Sequence, residues 1–376
     1  MRRASLWGFR MFEAFPRRGL SLVAAAAAAV LASCATPEPE PVAPPPPPPP
    51  PPPAVSLNEG VAEAASIYVA FMREAGTIQA GFTSAEEIQA AIRRGAAYEP
   101  AQLSRGMIAY GSILALQSPE FVGGVRALAA DPAVRQEMIA RIVADPAYAA
   151  TLPGADAAAG LIIGTIGRDS AAMLVIAEAV EGDAYTIQER SDPRRRWATA
   201  HIADRVTRLE GAKALSAVQM LPSAEESARL FAAANSGAGL SLEGARSGPP
   251  YTPAVARSLA LAALAALGAG GEEARANTEA LTVEQNSEFC LNMSKLMLFQ
   301  CLAASRPSYE DMFCVGRHVA RDLAICTAQN ITPAPVELPV TSVAGGAADS
   351  APVQSPVAEA AAAASVSATS ALNSGR

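Results

Sequence analysis

Lysine and histidine are almost missing: Lys213 and Lys295, His201 and His318 are the full complement in 376 residues. Two histidines leave little material for a multi-histidine metal centre, so neither a metal ion nor a cofactor is expected. Aromatic residues make up 5% of the chain and charged residues 17%. Asp and Glu number 36 against 29 Lys and Arg, a formal charge of -7. The basic excess of a general nucleic-acid binder is therefore absent, and no nucleic-acid partner is expected. There is no GxSxG, no HExxH and no glycine-rich phosphate loop after a strand. These absences favour a non-catalytic protein.

What is present starts with an address. Arg17 and Arg18 precede an apolar run, Leu20 to Leu31, that is too short for a permanent membrane helix. Leu31-Ala32-Ser33-Cys34 follows. This pattern resembles the lipobox of bacterial lipoproteins, in which an aliphatic and two small residues precede a cysteine. The resemblance implies cleavage after Ser33, lipidation of Cys34 and attachment to a membrane through that lipid. Several acyl chains anchor far more firmly than one. Residue 35 is Ala rather than the Asp that commonly retains such proteins in the inner membrane, which implies an outer-membrane lipoprotein facing the periplasm. Residues 1–33 carry five Arg and one Glu, so their removal takes the formal charge from -7 to -11. A chain this acidic is expected to hold its membrane by lipid and not by bulk charge. Met11 is an alternative start.

Residues 34–55 form a proline-rich linker with ten consecutive prolines, Pro44 to Pro53. Proline fixes φ and lacks an N–H, so the run is expected to be polyproline II, reaching about 31 Å at ~3.1 Å per residue. At the far end, residues 330–376 are rich in Ala, Ser, Pro and Val without periodicity, and read as a disordered tail.

The segment between them reads as all-α. Val61, Ala64, Tyr68 and Phe71 form one stripe, Leu103, Met107, Tyr110 and Leu114 another, and Val134, Met138 and Ile142 a third. Helix starts recur: Ser84 with Glu87, then Ser118-Pro119, Asp131-Pro132, Asp145-Pro146 and Thr252-Pro253. These predict an irregular bundle of ten to thirteen helices. Leu259 to Gly271 is the most apolar stretch and is expected to be a buried core helix. Gly160, Gly164 and Gly167 predict a close helix contact. The Gly/Ser/Pro-rich loop 235–250 is the expected boundary between a main helical domain, 56–240, and a smaller C-terminal subdomain, 250–329.

Lipidation of Cys34 leaves four cysteines: Cys290, Cys301, Cys314 and Cys326. Outside the cytoplasm they should oxidise. Phe289 to Leu302 reads as one helix, and Ser308 with Asp311 as the cap of a second running to about Cys326. The turn between them is Ser305-Arg306-Pro307. Cys301 and Cys314 centre on this turn, and so do Cys290 and Cys326. In an antiparallel hairpin those are the facing pairs, which predicts Cys301–Cys314 inside Cys290–Cys326. The first two cysteines, 11 apart, share a helix face. The second two, 12 apart, match less well, so Cys326 is expected at a frayed end. Cys314 and His318 have i,i+4 ligand spacing, but paired CxxC-like units are absent, and disulfides are favoured over metal.

Three further features carry candidate chemistry. His201 follows Trp197 and is read as a partly buried histidine on a helix with Ile202, Val206 and Leu209. Arg190, Arg194, Arg195, Arg196, Arg205 and Arg208 form a basic cluster, a solvated face or a patch for an anionic partner. Glu226-Ser227, Ala233 and Asn235 to Leu240 resemble the catalytic stretch of lytic transglycosylases, which implies an acid/base role for Glu226. The glycines are out of register, however, and no Met-Gln follows. The sequence thus points to a non-catalytic, lipid-anchored helical scaffold or adaptor that binds an envelope protein. A peptidoglycan-active enzyme using Glu226 and a carrier of a small apolar ligand are the alternatives.

Overall fold

A computed structural model describes residues 53–189, 193–240, 242 and 244–333. The signal segment, Cys34, the polyproline run, Arg190 and the tail from residue 334 lie outside the described residues.

The described chain is all-α, with no named strand. In order come α1 (Glu59–Ala75), α2 (Ala85–Ala96), α3 (Pro100–Leu116), α4 (Pro119–Leu128) and α5 (Pro132–Ala144). A 3-10 turn, Pro146–Thr151, leads to the long α6 (Ala155–Glu189). Then follow α7 (Arg196–Thr199), α8 (Arg205–Ser216), α9 (Ala224–Ser236), α10 (Pro253–Ala266) and α11 (Arg275–Leu281). The chain closes with α12 (Gln285–Ala304), α13 (Ser308–Val315), a π-helical segment (Gly316–Arg321) and α14 (Asp322–Ile331). Fourteen α-helices are described where the sequence predicts ten to thirteen. The four-residue α7 and seven-residue α11 are too short for a readable apolar period.

Local signals set the helix starts. Ser84, Ser118, Asp131, Ser223 and Thr252 each accept a backbone N–H of their helix's first turn. Asp145-Pro146 opens the 3-10 turn rather than an α-helix. Glu99 caps α3 ahead of Pro100, a start the sequence reading missed.

The core forms around α10, whose residues Leu259 to Ala266 are fully buried. Alanine and glycine let backbones approach closely here. A Cβ on Gly106 of α3 would lie 2.6 Å from the Ala64 carbonyl of α1, and one on Gly111 would lie 2.5 Å from Ser258 Oγ of α10. The predicted contact at Gly160 is of another kind, because its neighbour is the backbone of the loop at Ala245 and not a helix. Val134 is exposed, while Met138 and Ile142 of its stripe are buried. α6 runs unbroken through Arg168 and Asp169. By length and composition it could cross a membrane, and in the fold it packs against α3, α10, α13 and α14. Helices on both sides of the loop at 235–250 bury side chains in one hydrophobic core, with α10 against α3. α14 extends to Ile331, so Asn330 and Ile331 are buried helix residues and not the start of the tail.

Candidate functional site

The C-terminal hairpin carries Cys290–Cys326 and Cys301–Cys314, the nested pairing expected from the turn. The spacing mismatch is resolved between Cys314 and Cys326. On a regular α-helix, residues 11 apart lie about 20° apart around the axis and residues 12 apart about 120°. A π turn accommodates one extra residue. Gly316–Arg321 is such a turn, so both cysteines face α12. Cys326 is therefore buried within α14 and not at a frayed end. Ser308 makes no capping bond in α13. Asp311, expected as part of that cap, instead accepts hydrogen bonds from Arg208 (2.6 Å), Ser305 (2.6 Å) and Gln89 (2.9 Å). The His318 imidazole lies 3.1 Å from Asp322, and Cys314 is bound to Cys301.

The arginines of the predicted patch go to different places. Arg205 donates to the carbonyls of Ser305 (2.7 Å) and Ala304 (3.2 Å), and Arg208 to that of Leu302. Both thus satisfy the exposed carbonyl end of α12, where the helix dipole favours a cation. Arg195 pairs with Asp183 of α6. Arg194 and Arg196 are exposed.

Beside them lies a half-open groove of about 920 Å³ between α2, α7 and α8. Ile92, Trp197, Ile202, Ala212 and Leu215 supply apolar lining, while Glu86, Arg93 and Asp204 add charge. His201 also lines it, exposed and outside any helix. The connector after α7 is extended because Ile202 N–H donates to the Arg306 carbonyl (2.8 Å) and Ser308 N–H to that of Ala200 (3.2 Å). These bonds tie the connector to the disulfide hairpin and hold Trp197 and His201 on one wall. Gly211 of α8 borders the groove with open space over its Cα. The sequence flagged His201 and Trp197 but placed both on one helix. No apolar period marks the groove, because its residues come from four separate segments.

No protein-family model, curated protein or solved structure matches this chain.

Glu226 is largely buried at the start of α9 and accepts from Arg229 and from Arg73 (3.2 Å). Burial alone would raise its carboxyl, but the hydrogen bonds and charge of the two arginines outweigh it and hold the group below the usual range. A general acid needs the opposite shift. Nearby, Asp169 and Tyr110 line a cleft of about 220 Å³ with Arg73. Burial pushes the Asp169 carboxyl up to about 6, against the charge of Arg168. Among the described residues, no group of three or more His, Cys, Asp or Glu side chains is placed to hold a metal ion.

Proposed function

We propose that this protein is a lipid-anchored helical adaptor of the bacterial cell envelope, facing the periplasm and held off the outer membrane by its polyproline spacer. It is non-catalytic, and its body docks an envelope protein in the groove between α2, α7 and α8. The observation that carries this reading is the groove itself: half-open, about 920 Å³, apolar within and bordered by mixed charges. That combination suits a protruding apolar segment of a protein partner. The depressed Glu226 carboxyl favours this reading over acid catalysis of glycan cleavage.

The test uses the full lipidated chain in intact envelopes, with a photocrosslinking residue at His201. A stoichiometric envelope protein should be captured, and Gly211→Phe should abolish the capture by filling the groove from an open position. Capture that survives Gly211→Phe would place the partner elsewhere. Recovery of an extractable apolar small molecule in place of a protein would overturn the adaptor reading in favour of a carrier. Intact mass of the same material should show a chain beginning at acylated Cys34.

A further inference from the structure

Two opposite charges share the small cleft beside Tyr110 without meeting. Asp169 of α6 and Arg73 of α1 both line its space of about 220 Å³, and they form no ion pair with each other. The Asp169 carboxylate is half-buried and, among the described residues, takes part in no hydrogen bond or ion pair. Its neighbour in sequence, Arg168, turns to the Thr165 hydroxyl (3.2 Å). A carboxylate so placed is costly, because burial strips its water and nothing replaces it. Burial accordingly pushes the group up to about 6. The Arg73 side chain is 65% exposed and gives one nitrogen to Glu226 (3.2 Å), which Arg229 also holds. Two guanidinium groups thus share one carboxylate, and Arg73 keeps donors for a second. The rest of the lining is mostly apolar, with Met72 and Met173 buried and Val69 half-buried.

We infer that this cleft binds a free amino acid with an apolar side chain, its ammonium on Asp169 and its carboxylate on Arg73. Each part of the lining has a counterpart in such a ligand. An ammonium supplies the charge-assisted partner that Asp169 lacks. Tyr110 adds a ring face and a hydroxyl that makes no hydrogen bond among the described residues. The guanidinium fork of Arg73 matches a carboxylate, and methionine side chains adapt to an aliphatic chain of either shape, branched or straight. Size agrees: the space falls below the roughly 300–1,000 Å³ of drug-sized sites, so it admits one small molecule and not a chain segment. A purely cationic ligand would sit beside Arg73 unpaired, and a purely anionic one would meet Asp169. A zwitterion answers both. The cleft lies on α1, α3 and α6, apart from the groove that Trp197 lines, so this inference does not depend on the adaptor reading.

The test is calorimetry on the full lipidated chain in detergent at neutral pH. The probes are leucine and two truncated analogues: isopentylamine, which lacks the carboxylate, and isocaproate, which lacks the ammonium. Leucine should bind about tenfold tighter than either. Asp169→Asn should weaken leucine about tenfold and leave isocaproate no weaker, whereas Arg73→Gln should weaken leucine as much and spare isopentylamine. Ala172→Phe fills the cleft from an exposed position. It should abolish binding of all three probes while both disulfides and helical content stay intact. No leucine binding at millimolar concentrations would overturn the inference. So would isopentylamine binding as tightly as leucine, which would make this a site for a simple cation, or a leucine affinity unmoved by Asp169→Asn or Ala172→Phe.

Discussion

Arg208 of α8 meets Asp311 of α13 with 2.6 Å to each carboxylate oxygen, and both side chains are almost wholly removed from water. Asp311 is further bonded by Ser305 from the hairpin turn and by Gln89 from α2. One carboxylate thus gathers α2, α8 and the hairpin around the wall of the groove. Removing one partner of such a pair leaves a buried charge uncompensated, which costs about 3–5 kcal/mol. Asp311→Ala should lower unfolding free energy by that order in denaturant titration. Arg205→Ala, which removes bonds at the more exposed end of the same helix, should cost about 1–2 kcal/mol.

Lys295 supplies a pH dependence with a definite sign. Its ammonium donates to the Ala96 carbonyl and Ser216 Oγ (2.7 Å) and lies 3.8 Å from the Tyr98 ring centre. Burial nevertheless brings its pKa down to about 7, against the opposing charge of Glu99. Between pH 7 and the unfolded lysine value near 10.4, the unfolded chain holds the proton more tightly, so stability should rise with pH across that window. Above about pH 10 it should fall, because burial keeps Tyr98 and Tyr110 protonated while unfolded tyrosines ionise. Lys295→Met should flatten the rising limb in denaturant titrations from pH 7 to 10. An unchanged slope would show that the amine stays charged in the fold.

Asp169 should act in the opposite direction on the acid side. Its carboxyl, raised by burial to about 6, binds its proton more tightly in the folded chain than in the unfolded one. Stability from this group should therefore be lost as pH rises from about 4 to 6. Asp169→Asn should raise the melting temperature at pH 7 relative to the parent and have little effect at pH 4. A two-pH melting comparison decides it.

Much of this architecture was legible because the signals are local. A capping hydroxyl or carboxylate before proline marks Ser118, Asp131 and Thr252 as helix starts whatever packs later, and a turn at 305–307 fixes which cysteines face each other. What was illegible is long-range. Asp311 has the spacing of a cap, but its partners are 222 residues away at Gln89 and 103 away at Arg208. Arg205 and Arg208 read as a solvated charge run, yet they close the carbonyl end of a helix about a hundred residues further on. Cavity walls drawn from four segments leave no period to detect.

Three hydroxyls in the core predict a bound solvent molecule. Ser104 Oγ and Ser287 Oγ are buried without a hydrogen bond in the protein, the buried Tyr68 OH has Thr327 as its polar neighbour, and all three residues line a space of about 10 Å³ beside Thr327. That is about the size of one water, and buried polar groups of this kind are ordinarily bridged by one. A crystal structure at high resolution should place a water within hydrogen-bond distance of at least two of the three. Ser104→Ala should weaken that density and cost about 1–2 kcal/mol, whereas hydroxyls found bonded to helix carbonyls would remove the need for it.

The π turn makes the sharpest prediction, because it turns a spacing argument into a deletion experiment. Arg317 is exposed within Gly316–Arg321. Its deletion shortens the Cys314 to Cys326 interval from 12 residues to 11, the interval that a regular α-helix needs to keep both on one face. The shortened chain should form both disulfides, as read by mass mapping of non-reduced peptides, at a stability within about 2 kcal/mol of the parent. Deleting Ile325 gives the same interval but leaves the π turn in place, so Cys326 rotates by about 100° away from Cys290. That variant should keep Cys301–Cys314 and lose Cys290–Cys326, with a loss near the roughly 4 kcal/mol that chain entropy assigns to a loop of this length. If both deletions behave alike, the register is set by the hairpin as a whole and not by the π turn.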